Sequence, residues 1–396
     1  MEPDKLRIPP SEHRERMDAV LEAAQDDGYD GVVLFGALDI HYVSGMYHLP
    51  TERPVVLGVT DAGSQIVVPR LEQEHAERDD FIIDDVHVYF DYPQGEPMER
   101  VAEMCAELGL DSGRVAADAD GSPSRNGYEG PALSEVIDAD VGVEDYITDM
   151  REVKSDTEID LIREASVWSN LGHRMLQEKI DVGRYPAVIS AEVEAEGTKA
   201  MLDTLGDRYE MMDWSSPMMC KFTAGEITAL PHSVDQTTRI EPGDNIVTVV
   251  KPHVGGYTTE LERTMIVGEP SAEQRDYFEI MQESQEIAID AIAPGVEYAY
   301  VEEAVVDYYE EQGVNNYTQH HIGHNIGMEG HERPFLDIGY DGELRQGELY
   351  TVEPGFYVPE IGGFRHSDTV LVTGDGTETL TYYPRDLESL TIDIDA

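Results

Sequence analysis

Between His320 and Pro334 the chain reads H-H-I-G-H-N-I-G-M-E-G-H-E-R-P, with four histidines and three glycines in one short run. Gly323, Gly327 and Gly330 weaken a helix and instead allow backbones to approach one another without Cβ atoms between them. The stretch therefore asks for closely packed, non-helical backbone that presents imidazoles. Imidazole moves protons near neutrality and ligates metals, so the run reads as a site. The alternative is a turn whose histidines are merely solvated.

At 396 residues the chain exceeds what one hydrophobic core usually serves, and two domains are expected, residues 1–150 and 151–396. Its charge is the next constraint: 82 acidic residues against 27 basic ones leave a formal net charge of -55. Acidic and apolar residues are interspersed throughout, so the acid forms a surface coat and not a disordered tail. Such a surface disfavours nucleic acid and anionic membranes as partners. Cys105 and Cys220 lie in different halves with no metal-site or disulfide spacing. The N-terminus has no basic start followed by an apolar run, and no segment approaches membrane-span length. A cytoplasmic protein of a salt-accumulating organism is the expectation.

Along the chain, apolar spacing predicts a helix over 11–28, strands at 31–35, 55–59, 64–68 and 86–90, and a helix near 97–108. A strand at 114–117 and a helix ending near Val136 follow, which together make a small α/β domain. Residues 42–54 read as irregular, with Arg53 between Glu52 and Pro54. Ser155 and Glu158 form a capping-box pattern that starts a long helix. The second domain then gives a helix over 187–205, strands at 217–222, 246–250 and 258–266, helices at 272–293 and 300–312, and a last strand at 364–372. On the strand at 258–266, Glu260 and Glu262 are two apart and project from one face, with Arg263 on the other. The bland reading is a solvent-facing edge strand, and His232 after Pro231 reads equally well as a turn residue.

Taken together, Leu230-Pro231-His232, Gly256-Tyr257 with Glu262-Arg263-Thr264, His320-x-x-Gly323-His324-x-Ile326-Gly327, Glu353-Pro354-Gly355 and Gly363 to Thr373 resemble the pita-bread superfamily of methionine aminopeptidase, prolidase, aminopeptidase P and creatinase. The resemblance implies an α+β chain, with a small creatinase-type α/β domain preceding a pita-bread catalytic domain and a homodimer closing the pocket. Its peptidases hold two metals with two aspartates, a histidine and two glutamates. Those positions match Val249, Glu260, His324, Glu353 and Ser367, so two of the five ligands are lost.

Creatinase, the metal-free branch, is similar where the peptidases differ. The resemblance implies that Glu262 and Glu353 bind a cationic substrate group, that His232 is the general acid/base, and that His324 and His331 complete the catalytic set. Arg53 and Arg333 match its carboxylate-binding arginines, while Glu260 departs from the small residue creatinase has there and is expected to touch the substrate. The leading expectation is a hydrolase of a non-peptide C–N bond in a small amidine- or guanidine-like substrate, without a cofactor. The alternative is an Xaa-Pro peptidase keeping one divalent metal (Mn, Co or Zn) on Glu260, His324 and Glu353. A third reading is a non-catalytic binding protein on the same fold.

The charge generates a prediction of its own. Salt shortens the Debye length to about 3 Å at 1 M and screens carboxylate repulsion across the whole surface. The thermal midpoint and activity should therefore rise together between about 0.05 M and about 2 M monovalent salt. A midpoint that stays constant over that span in a thermal melt contradicts the reading of the acidic coat.

Overall fold

The computed structural model describes residues 5–90, 96–212 and 216–394; the first four residues, part of the segment read for a signal peptide, lie outside them. The chain forms two compact units. Ile8–Arg151 make one, and residues 5–7 join Glu152–Met211 and the chain from 216 onward to make the other.

In the N-terminal unit, β1 (Gly31–Leu34), β2 (Val56–Thr60), β3 (Gly63–Pro69), β4 (Asp85–Tyr89), β5 (Arg114–Ala117) and β6 (Asp140–Val143) form one sheet in the order β4-β3-β2-β1-β5-β6. A tight turn makes β2 and β3 antiparallel, whereas helix-bearing or longer connections give parallel pairs at β3–β4, β1–β5 and β5–β6. The helix Pro97–Leu108 places Met98, Val101, Met104, Cys105 and Leu108 on one stripe, against Val33, Val56 and Val67 of the sheet.

Two expectations fail in this unit. Ala37–Ser44 is a helix and not irregular chain, because burying Ile40, Tyr42 and Val43 outweighs the weak helix propensity of a segment rich in β-branched and aromatic residues. The helix foreseen before Val136 is only the 3₁₀ turn Leu133–Glu135, since glycines and Pro131 crowd the residues ahead of it.

The C-terminal unit opens with the helix Asp156–Lys179, started by the predicted capping box: Ser155 Oγ accepts from Glu158 N at 3.2 Å and Glu158 Oε2 accepts from Ser155 N at 2.7 Å. Helices Pro186–Leu205, Ala272–Ala291 and Tyr298–Gln312 follow. Its strands are β7 (Met218–Ala224), β8 (Asn245–Val254), β9 (Tyr257–Thr258), β10 (Thr264–Val267), β11 (Gly323–Asn325), β12 (Glu332–Leu336), β13 (Leu349–Val352), β14 (Gly355–Val358), β15 (Gly362–Arg365), β16 (Asp368–Val372), β17 (Thr377–Thr379) and β18 (Thr391–Ile392). They form a sheet β18-β10-β8-β7 with β9 on β8, a second sheet β12-β11-β13-β16-β17, and the ribbon β14-β15.

Two predicted strands are broken. The run 258–266 splits into β9 and β10, and the run 364–372 splits into β15 and β16. The breaks face each other. Glu262 and Ser367 exchange backbone hydrogen bonds at 3.0 and 3.1 Å, which ties the interrupted edge of the first sheet to that of the second. Arg263 holds the junction closed. Its guanidinium is fully buried and donates to the carbonyls of Pro384 (2.8 Å), Tyr383 (2.9 Å), Glu262 (2.7 Å) and Ser367 (3.0 Å), and to Asp368 Oδ1 at 2.9 Å. Asp368 in turn accepts from Thr381 Oγ1 and Gln285 Nε2.

Removing one partner of a buried, hydrogen-bonded charge pair leaves the other uncompensated, at a cost of about 3–5 kcal/mol. Arg263→Met should lose stability on that scale in urea unfolding monitored on the C-terminal unit. A loss under about 1 kcal/mol, the range of a surface substitution, shows the network to be dispensable.

Candidate active site

The broken strands deliver their side chains to one buried cluster. Glu260 and Glu262 come from the segment between β9 and β10, and both are buried, at 3% and 4% exposure, which excludes the solvent-face reading. Arg263, one residue on, points the other way into its own network, as a period of two requires. His324 comes from β11, Glu353 from the end of β13, and Arg365 and Ser367 from the break between β15 and β16. Close packing explains the glycine at 323, where a Cβ would run into the Thr351 carbonyl of the neighbouring strand.

Glu260, His324 and Glu353 each offer a ligand atom, and the three atoms lie within 4.8 Å of one another. His324 is fully buried, and its Nδ1 lies 3.1 Å from the Asn325 carbonyl, an acceptor, so that nitrogen carries the proton. Nε2 is left with its lone pair. It makes no hydrogen bond, although Glu353 Oε1 stands 3.0 Å away. Two acceptors so close need a cation between them, either a proton or a metal ion. A divalent ion held by both would satisfy them, an imidazole nitrogen and a carboxylate oxygen being ordinary ligands. Without a metal the cation is a proton: burial works against charging His324, but Glu353 outweighs it and raises the imidazole pKa, while Glu353 is itself held far below the usual carboxylate range.

The groups around these three are engaged with one another. Val249 has no donor, Ser367 Oγ donates to Glu260 Oε1 at 3.0 Å, and the Lys251 ammonium forms an ion pair with Glu260 Oε2. Burial opposes the charge of Lys251, yet Glu260 and then Glu262 and Glu353 prevail and raise its pKa. Glu262 is bridged by Arg365 through Nε and Nη2, the latter to Oε1 at 2.9 Å, and Arg365 Nη1 donates to Tyr357 Oη at 2.9 Å. Burial pushes the Glu262 pKa up, to about 8, against Arg365 and with Glu260 and Glu353 adding to the rise. His320 Nε2 pairs with Tyr357 Oη at 2.7 Å.

The remaining expected site residues are placed unevenly. His331 is exposed but stacks on His324, with ring centroids 3.9 Å apart, and burial of its inner face and the charge of His324 lower its pKa to about 4. The histidine run is thus no solvated turn. His232 is exposed in the loop after the 3₁₀ turn Gly225–Ala229. Arg333 Nε lies 3.4 Å from Glu152 Oε1. Arg53 belongs to the N-terminal unit, where it pairs with Glu52 at 2.6 Å on the wall of a cavity of about 910 Å³. The reading of the sequence missed Lys251, Tyr357 and Arg365. Lys251 carried one signal, being one of only six lysines and directly following the apolar pair Val249-Val250.

The profile of metallopeptidase family M24 matches residues 160–374, and that of the creatinase/prolidase N-terminal domain matches residues 16–153. The chain belongs to metallopeptidase family M24. Its M24 unit is similar over nearly its whole length to proteins of known class. An Xaa-Pro dipeptidase of Pyrococcus horikoshii is 28% identical over 378 residues, covering 94% of this chain and 98% of the relative. Among solved structures, the Xaa-Pro dipeptidase from Bacillus anthracis superposes with a TM-score of 0.80 at 26% identity, over 96% and 99% of the two chains. The prolidase from Pyrococcus furiosus gives 0.74 at 25% identity, over 92% and 99%.

These findings correct the leading expectation drawn from the sequence. The M24 chain is a hydrolase of the peptidase class, and the relatives it resembles end to end include Xaa-Pro dipeptidases and a prolidase. The expectation of no cofactor falls with it, because the family is one of metallopeptidases and the three-ligand cluster accommodates an ion. Among the described residues no helix is long and apolar enough to cross a membrane.

Ligand identity makes a direct prediction. His324→Ala removes the one neutral nitrogen donor and should weaken Mn(II) binding at least about tenfold in calorimetry, the lower end of the effect of disturbing a metal site's ligand environment. Unchanged affinity excludes the cluster as the metal site.

Proposed function

We propose that this M24 chain is an Xaa-Pro-type dipeptidase working with a single divalent ion held by Glu260, His324 and Glu353. The observation that carries the reading is the approach of those three ligand atoms to within 4.8 Å in a chain similar end to end to Xaa-Pro dipeptidases. When bound, the ion supplies Lewis acidity toward a carbonyl and lowers the pKa of a bound water.

The chain's own residues do the rest. Ser367 and Lys251 fix Glu260 from two sides, so its carboxylate is oriented before any ligand arrives. Arg365 does the same for Glu262 with a two-pronged contact, which resists rotation better than a single bond. Glu353, whose Oε1 lies 3.0 Å from His324 Nε2, is the base that accepts a proton from attacking water. A homodimer in a salt-rich cytoplasm belongs to the same proposal, resting on the resemblance and on the charge of -55.

The test is hydrolysis of Xaa-Pro and Xaa-Ala dipeptides by protein supplied with Mn(II), Co(II) or Zn(II). Cleavage of Xaa-Pro substrates, abolished by chelator and restored by metal, is the expected result. Glu353→Gln should reduce kcat at least about 100-fold, the lower end for losing a positioned acid/base. Failure of metal-loaded protein to cleave any dipeptide, or cleavage indifferent to chelator, overturns the proposal; the former points to the non-catalytic reading.

A further inference from the structure

The lysine that the fold brings into the carboxylate cluster has no counterpart in the ligand set that the resemblance supplies. On β8, Val249 and Lys251 are two residues apart and both half-buried, between the fully buried Thr248, Val250 and Pro252, so the two share the face that looks into the cluster. Val249 stands where the resemblance calls for an aspartate. The side chain next along that face ends in an ammonium on Glu260 Oε2, with only 15% of its surface open. Its surroundings leave that ammonium room: a Cβ on Gly330 would lie 3.2 Å from Lys251 Nζ, so a glycine there keeps the space clear. Its charge also acts on Glu262, Glu353 and His331. The chain has thus exchanged an anionic ligand for a tethered cation on the same face of the same strand.

We propose that Lys251 is a catalytic residue, a built-in positive charge that takes over the work of a second metal ion by stabilising the oxyanion formed at the scissile carbonyl. The inference rests on the peptidase reading. In the step it serves, water oxygen bonds to the carbonyl carbon, the water proton passes to Glu353, and the π pair of the C=O bond moves onto oxygen beside the Lys251 ammonium. On collapse that pair reforms the carbonyl, the C–N bond breaks, and the proton on Glu353 passes to the leaving nitrogen. No oxidant or further reactant is needed. An ammonium already held by Glu260 undergoes little reorganisation as the charge develops, which is what makes a preorganised donor effective.

The experiment compares Lys251→Met, which keeps the length and loses the charge, with Lys251→Arg, which keeps the charge. Three readouts are taken: steady-state hydrolysis of an Xaa-Pro dipeptide, calorimetric Mn(II) titration, and binding of a phosphinate dipeptide analogue, whose anionic tetrahedral phosphorus mimics the oxyanion. Losing one oxyanion-stabilising donor costs about 10²- to 10³-fold in kcat. Lys251→Met should lose that much with KM little changed, bind the phosphinate correspondingly more weakly, and still bind one Mn(II) per chain at least as tightly as the parent. Lys251→Arg should recover part of both losses. Equal kcat and phosphinate affinity in the methionine variant, or losses that the arginine variant does not relieve, overturn the proposal. So does a collapse of Mn(II) binding in the methionine variant, which would make Lys251 a structural support of Glu260. If the parent cleaves no Xaa-Pro dipeptide, the peptidase reading fails by itself. The role of Lys251 is then decided by the phosphinate, and absence of phosphinate binding to the parent overturns that role too.

Discussion

The C-terminal unit depends on a guanidinium that has no water to solvate it. Arg263 gives its donors to four carbonyls and Asp368, at distances of 2.7–3.0 Å. A charge so deeply buried is tolerable only when every donor is taken, so the residues around it are restricted to one arrangement. That arrangement is the junction of two interrupted strands. Because Glu262 and Ser367 flank the junction and exchange backbone hydrogen bonds across it, the Arg263 network also sets the separation of Glu260 and Glu262 from Arg365 and Ser367.

On the other side of the same strand segment, the site follows from matching like charges with unlike ones. Three buried carboxylates cannot all stay ionised in a low-dielectric pocket without compensation. Lys251 answers Glu260, Arg365 answers Glu262, and His324 or a divalent ion answers Glu353. The compensation is unequal, and the opposite shifts of Glu262 and Glu353 record it: the first is pushed up by burial and its neighbours, the second held down by the adjacent imidazole. A site with Val249 and Ser367 where the resemblance calls for acidic ligands has in this way balanced its charge with side-chain cations.

Much of the arrangement was legible because it rests on short-range rules. The Ser155–Glu158 capping box was readable from spacing, as were the opposite faces of Glu262 and Arg263, and the glycine-spaced histidines marked the β11 segment that carries His324. Arg365 and Lys251 were not legible. Each lies in a strand whose orientation is set by partners more than a hundred residues away or by the strand register on β7, and alternation alone does not say which face meets the pocket. His232 shows the converse: its local motif matched, and whether it meets the cluster depends on the loop after Ala229, where the imidazole is exposed.

By itself the sequence determined the net charge and the common face of Glu260 and Glu262, which follow from composition and a period of two, and the family resemblance added the α+β organisation and the loss of two metal ligands; that the glutamate face is buried came from the structure. Only the tertiary structure decided the chemistry. Counting lost ligands pointed away from a metal, whereas the convergence of Glu260, His324 and Glu353 from three separate strands leaves an orphaned imidazole nitrogen 3.0 Å from a carboxylate oxygen. The physical reason is that ligation depends on where lone pairs converge, and convergence of atoms from residues 260, 324 and 353 is a property of strand pairing and of the junction closed by Arg263, which no local pattern in the chain encodes.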